Sequence, residues 1–227
     1  KAPLIGEFTA TSPANSLNIP ITAFTVWDTD PIGYMITTSP TPPLIAAAGW
    51  NPTPPTSFTV ASEGSYTLYP WVKDAAGNVS EVFASPRTVV VDATVPAVTN
   101  ILRLDTDPNS ATSVHFNVTF SESVTGVNPG DFNLTTTGVL GTAVSGVSGS
   151  GSAYTVTVSS GSGSGTIQLN VADDDSIADA ASNSLGGSGI GNGDFILGET
   201  YTITKTWVFG DVPNTYWSWG FIESLYN

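Results

Sequence analysis

The stretch SVHFNVTF, residues 113–120, places Val114, Phe116, Val118 and Phe120 on one side of an extended chain and His115, Asn117 and Thr119 on the other. That period of two belongs to a strand with one buried face, because successive side chains of a pleated strand point in opposite directions. A helix, turning every 3.6 residues, would scatter the same apolar side chains around its axis. YTVTVSS from Tyr154 and TIQLNV from Thr166 alternate in the same way. The latter half of the chain is therefore expected to be antiparallel β-structure.

The pattern continues toward the N-terminus in LNIPITAFTV from Leu17, SFTVAS from Ser57, SYTLYPWVK from Ser65 and RTVVVD from Arg87, with Pro- and Gly-rich turns between. Short strands at this spacing predict a sandwich. In VDATVPAVTN, residues 91–100, one set of strands ends and another begins, and Pro96 cannot donate to a ladder. The expected division falls between residues 92 and 97, giving one sandwich over residues 1–95 and a second over residues 96–205. The linker is too short and too β-rich to be floppy. Gly- and Ser-rich runs between Gly138 and Gly165 are flanked by alternating strands, so they are expected to be hairpin loops. From Thr206 the character changes, and Trp217, Phe221, Ile222 and Leu225 fit one face of a helix capped by Asn214 or Thr215. The predicted fold class is all-β: two tandem immunoglobulin-like antiparallel β-sandwiches plus a short C-terminal helical segment, residues 206–227.

Composition narrows the partners. The 227 residues carry nineteen acids against five Lys and Arg, a formal net charge of -14, while 40% are hydrophobic. So acidic a chain repels phosphate backbones and anionic lipid, so neither nucleic acid nor membrane insertion is expected, and divalent cations are its natural counter-charge. Absence of cysteine removes disulfides and thiolate metal sites. No apolar run reaches the roughly 20 residues needed to span a bilayer, and Lys1 begins no signal peptide, so the chain reads as mature or excised material.

The segment running through ITAFTVWDTDPIGYMITTSP to WVKDAAGNVSE resembles, over roughly residues 8–92, the bacterial immunoglobulin-like repeats of large secreted and surface proteins. Residues 98–205, with VHFNVTFSESVTGVNPGDFNLTTTGV and NGDFILGETYTI, look like another family of such repeats. The tail VFGDVPNTYWSWGFIESLYN is similar to the opening of an S-layer-homology repeat through Phe209, Asp211, Val212, Trp217, Phe221, Ile222 and Leu225, although Gly210 departs from the more usual small polar residue. These resemblances imply a non-catalytic structural module at the bacterial cell surface, an S-layer component or a stalk. Its implied partners are neighbouring domains or identical subunits, and cell-wall polymer through a complete S-layer-homology module.

Catalysis requires convergent acids, bases or nucleophiles. His115, the single histidine, is out of phase with the core face of its strand, and Glu63, Glu81, Glu122, Glu199 and Glu223 sit in no motif that pairs two acids in a cleft. Immunoglobulin strand order instead brings the B–C and F–G loops to the end where each unit begins. In the second unit this gathers Glu122 with Asp173, Asp174, Asp175 and Asp179, near Asp92 of the linker; in the first it gathers Asp28, Asp30 and Asp74. Hard oxygen ligands in such numbers suit Ca²⁺, which would stiffen the junction. Asp and Asn are equally turn formers that bond their own backbone. LDTDPN, with Asp105, Asp107 and Asn109, lacks the Gly and distal Glu of an EF-hand and is expected to be a turn. Sequons begin at Asn78, Asn117 and Asn133. Two other functions stay open: a filament in which the strand APLIGEFT is supplied to a neighbouring subunit, and an accessory module of a polysaccharide-degrading enzyme using Trp50, Trp71, Trp207 or Trp219, which would have to be exposed.

Overall fold

The computed structural model describes residues 1–27 and 30–205. The expected C-terminal helix, the S-layer-homology-like tail with Trp207 and Trp219, Glu223, and Asp28 lie outside the described residues. What is described is nearly all β, with one short 3-10 turn at Pro129–Asp131. The first six strands are β1 (Ile5–Ala10), β2 (Asn18–Val26), β3 (Pro31–Thr37), β4 (Ser57–Thr59), β5 (Gly64–Asp74) and β6 (Arg87–Val91). The next six are β7 (Val98–Arg103), β8 (Ser113–Val124), β9 (Phe132–Thr137), β10 (Ala143–Ser159), β11 (Gly165–Val171) and β12 (Thr200–Ile203).

They form four antiparallel sheets, β1-β2-β4 and β3-β5-β6, then β7-β8-β10 and β9-β11-β12. Strand for strand, the second pair repeats the first. Register repeats as well. Ile5 faces Val26 and Val98 faces Phe120, and in both ladders the register shifts just after this pair. Leu4 O accepts from Trp27 N at 3.0 Å, as Ala97 O accepts from Ser121 N at 2.8 Å. Ala14 makes a parallel bridge to Val91, as Asn109 does to Ile203.

Each pair of sheets encloses its own apolar cluster. In β8, Val114, Phe116, Val118 and Phe120 all turn inward and pack with Val156, Val158, Ile167, Leu169 and Tyr201. The first cluster centres on Phe8, Ile19, Phe24, Leu68, Val72 and Val89. At roughly 1.5 to 3 kcal/mol for each large side chain fully buried, these clusters are the main stabilising term on either side of the linker. The Gly/Ser-rich run is structured: β10 doubles back, with Ser145 Oγ donating to Thr157 O at 3.1 Å. Gly149 lies so close to the returning arm that a Cβ there would come within 2.5 Å of Ala153 O. Its φ of +126° is one that residues with side chains rarely adopt.

Candidate functional site: the linker between the two cores

Two loops of the same sequence pattern, DAAGN at residues 74–78 and DAASN at residues 179–183, fold alike. In the second, Asn183 donates from N to Asp179 Oδ1 and from Nδ2 to Asp179 Oδ2, both at 2.8 Å. Asp179 N returns a bond to Asn183 O at 3.1 Å. In the first, Asn78 makes the corresponding pair to Asp74, again both 2.8 Å, and Asp74 N donates to Asn78 O at 3.1 Å. Such a clasp closes the loop with side-chain bonds in place of a ladder. It requires a left-handed residue before the Asn, filled by Gly77 at φ +83° and Ser182 at φ +68°. The Asn78 bonds hold the Asp74 carboxyl below its ordinary pKa, since they favour the charged form.

The second clasp grips the linker. Asn183 Nδ2 also donates to Asp92 O at 2.9 Å. Gly186 N donates to Pro96 O at 2.9 Å, and Ala97 N to Ser121 Oγ at 2.9 Å. From the first unit, Glu63 takes Ala93 N and Thr94 Oγ1, both at 2.9 Å, while Asp92 N reaches Ala14 O at 2.9 Å. Pro96 itself is buried. Residues 92–97 are thus bonded to both units, which removes the freedom of a flexible linker.

Beside this grip, carboxylate oxygens of Asp92, Glu122 and Asp179 lie within 4.8 Å of one another. Burial, and after it the charges of Asp92, Asp179 and Glu63, raise the Glu122 pKa. Glu122 Oε1 is buried without a hydrogen-bond partner. Three of the six acids singled out as metal ligands are therefore brought together. The other three shape the loop after β11. Asp173 accepts from Asp175 N at 3.1 Å and Gly193 N at 3.2 Å, Asp174 from Ser176 N at 2.9 Å, and Asp175 from Gly189 N at 3.0 Å. Asp173, Asp174 and Asp175 thus accept from amides of their own loop, as Asp179 also does from Ala181 N and Asn183 N.

Asp105 and Glu199 have local uses. Asp105 Oδ2 accepts from His115 N at 2.7 Å and lies 3.0 Å from His115 Nδ1. Tyr201 Oη receives Asp105 N at 2.7 Å, which ties the LDTDPN turn to the core. Glu199 accepts from Arg103 N at 2.7 Å. Trp71 is fully buried with Nε1 on Thr37 Oγ1 at 2.8 Å, and Trp50 is half-buried with Lys73 Nζ 4.9 Å over its ring. Neither offers the open face a sugar would need. Trp27 is 76% exposed and lines an open cleft of about 410 Å³ with Lys1, Leu4, Asp74 and Ala76.

No protein-family model and no curated protein matches the chain. Among solved structures it is similar to the D00-D0 domain of intimin, at 11% identity and a TM-score of 0.31, over 88% of this chain and all of that one. It is also similar to chitinase ChiA74 from Bacillus thuringiensis, at 18% identity and a TM-score of 0.27. That match covers 71% of this chain and 27% of the chitinase. Among the described residues no helix is long and apolar enough to cross a membrane.

Proposed function

We propose that the chain is a non-catalytic spacer of a bacterial cell-surface protein, in which repeated β-sandwiches are joined stiffly so that the whole holds a set reach. The observation that carries this is the linker, in which Asp92, Ala93, Pro96 and Ala97 each place a main-chain group on a partner in one of the two units. A connector built only to join folded units has no need of such bonds. Attachment to cell-wall polymer belongs to a complete S-layer-homology module, to which residues 206–227 would contribute. The test is antibody raised against this chain and applied to intact cells that make the protein. Labelling without permeabilisation supports the proposal; labelling of permeabilised cells alone opposes it.

Calcium, expected from the sequence at six carboxylates, is proposed at Asp92, Glu122 and Asp179, with water completing the coordination. Its support is electrostatic: three carboxylates this close repel one another, and Glu122 Oε1 is buried without a partner. A chain supplying so few oxygens suits the weak range of extracellular modules, about 10⁻⁴ to 10⁻³ M. Calorimetric titration with Ca²⁺ should show binding in that range that is lost in Glu122→Gln, and no heat in the wild type would remove the metal without touching the spacer.

Supplying APLIGEFT to a neighbour is less favoured. Ile5 and Phe8 of that strand are buried in the core of their own unit, and β1 is paired with β2. Donation would expose both side chains and break that ladder.

A further inference from the structure

The connection between the third and fourth strands is built differently in the two units. In the first, residues 38–56 contain six prolines, and Asn51 exchanges main-chain bonds with Tyr34 of β3 at 2.8 and 2.9 Å. That segment covers the edge of β3. In the second, the chain leaves β9, Leu140 exchanges main-chain bonds with Ser162, both at 2.9 Å, and the first arm of β10 follows. This arm, residues 143–149, lies along the second arm, with Ser145 beside Thr157 and Gly149 against Ala153. Val144 and Val147 pack on the core and fix it in place. The second arm pairs onward with β8. Among the described residues, no other strand pairs with the first arm and no main-chain bond joins it to a loop. Its far edge is therefore a row of open donors and acceptors. Proteins ordinarily blunt such an edge with charge, with proline or with a covering segment. Here the chain has neither a charged residue nor a proline between Asp131 and Asp173, although its net charge is -14. At Gly146, the middle of the arm, an added Cβ would meet nothing within 4 Å.

We infer that the first arm of β10 is an interaction edge, which pairs antiparallel with the same arm of a second copy of this chain about a two-fold axis at Gly146. Charge favours this occupant. Two chains of net charge -14 repel over most of their surface, whereas these arms meet with no like charges opposed. The arm also suits itself as a partner, because an antiparallel strand pair is a self-complementary contact. Ala143 then faces Gly149, Val144 faces Ser148, Ser145 faces Val147 and Gly146 faces itself, so the side chains at the seam are small. The sheet β7-β8-β10 of one copy continues into that of the other, and two chains are held side by side. The inference goes beyond the spacer proposal, which concerns residues 92–97 within one chain.

The test is sedimentation of the full chain over a range of concentrations, with Gly146→Lys and Gly146→Cys as variants. A side chain at Gly146 has open space around it in the single copy, so both variants should keep the urea midpoint of wild type. Wild type should pass from monomer to dimer as concentration rises, and Gly146→Lys, which sets two like charges at the axis, should lose the dimer. Facing residues of an antiparallel pair lie about 4.5 to 5.5 Å apart at Cα, within reach of a disulfide. The chain has no cysteine of its own, so Gly146→Cys should link copy to copy on mild oxidation, and Ala143→Cys, which faces Gly149, should not. A wild type that stays monomeric at every concentration overturns the pairing and leaves the edge to a strand of some other protein. A dimer that survives Gly146→Lys, or Ala143→Cys linking as readily as Gly146→Cys, puts the contact elsewhere and overturns it equally. None of these outcomes alters the bonds at residues 92–97, so the spacer proposal stands or falls separately.

Discussion

Asn183 Nδ2 donates to Asp92 O across 2.9 Å, joining the loop after β11 in one sandwich to the residue that follows β6 of the other. The same amide closes its own loop on Asp179. One side chain therefore does two things, holding a turn and holding a neighbour, and the two can be separated experimentally.

Asn183→Ala removes both. Loss of a buried clasp should destabilise the second unit by about 1 to 3 kcal/mol, the usual cost of leaving buried partners unpaired. Asn78→Ala removes only a clasp. Urea unfolding should show a loss in each variant, whereas accelerated amide exchange in residues 92–97 should follow Asn183→Ala alone.

Glu122 gives the joint a pH dependence. Its folded pKa is raised, so its contribution to stability is fully present below its unfolded value of about 4.3 and is lost as pH rises through the folded value. The facing charges, Asp92, Asp179 and Glu63, act in the same direction. In chelator, Glu122→Gln should be more stable than wild type at pH 7, with the gain gone by about pH 4. Added Ca²⁺ should stabilise wild type and leave the variant unchanged. A wild type whose stability rises from pH 4 to 7 by as much as that of the variant would contradict this assignment.

Gly165 is a packing requirement in β11. A Cβ there would fall 1.7 Å from Thr137 O in β9, whereas at Gly146 it would meet nothing within 4 Å. Gly165→Ala should cost about 2 kcal/mol or more through forced separation of the two strands. Gly146→Ala should change the urea midpoint little. Equal midpoints for the two variants would contradict the described β9–β11 contact.

Alternation made the strands legible. Val114, Phe116, Val118 and Phe120 are buried on the face that period two assigns them. Period two failed in β5, where Pro70, Trp71 and Val72 are buried in succession, because both faces of that strand are covered. It failed also in the first arm of β10, whose Gly and Ser residues carry no apolar signal. At the candidate site, loop order brought Asp92, Glu122 and Asp179 to one end, but it could not separate these from Asp173, Asp174 and Asp175. Which of these acids approach one another depends on how the loop after β11 folds back on itself through its hydrogen bonds, those of Asp179 included. The paired DAAGN and DAASN segments were a signal in plain view, and their meaning appears only when their hydrogen bonds are set side by side.

The most direct measurement of the central claim is a set of residual dipolar couplings on the full chain, taken from amides in β1 to β6 and in β7 to β12. A linker bonded to both units predicts that one alignment tensor fits both sets in the wild type, and that Asn183→Ala splits them into two. Two tensors of different magnitude in the wild type would show the units moving independently, and would contradict a stiff joint at residues 92–97.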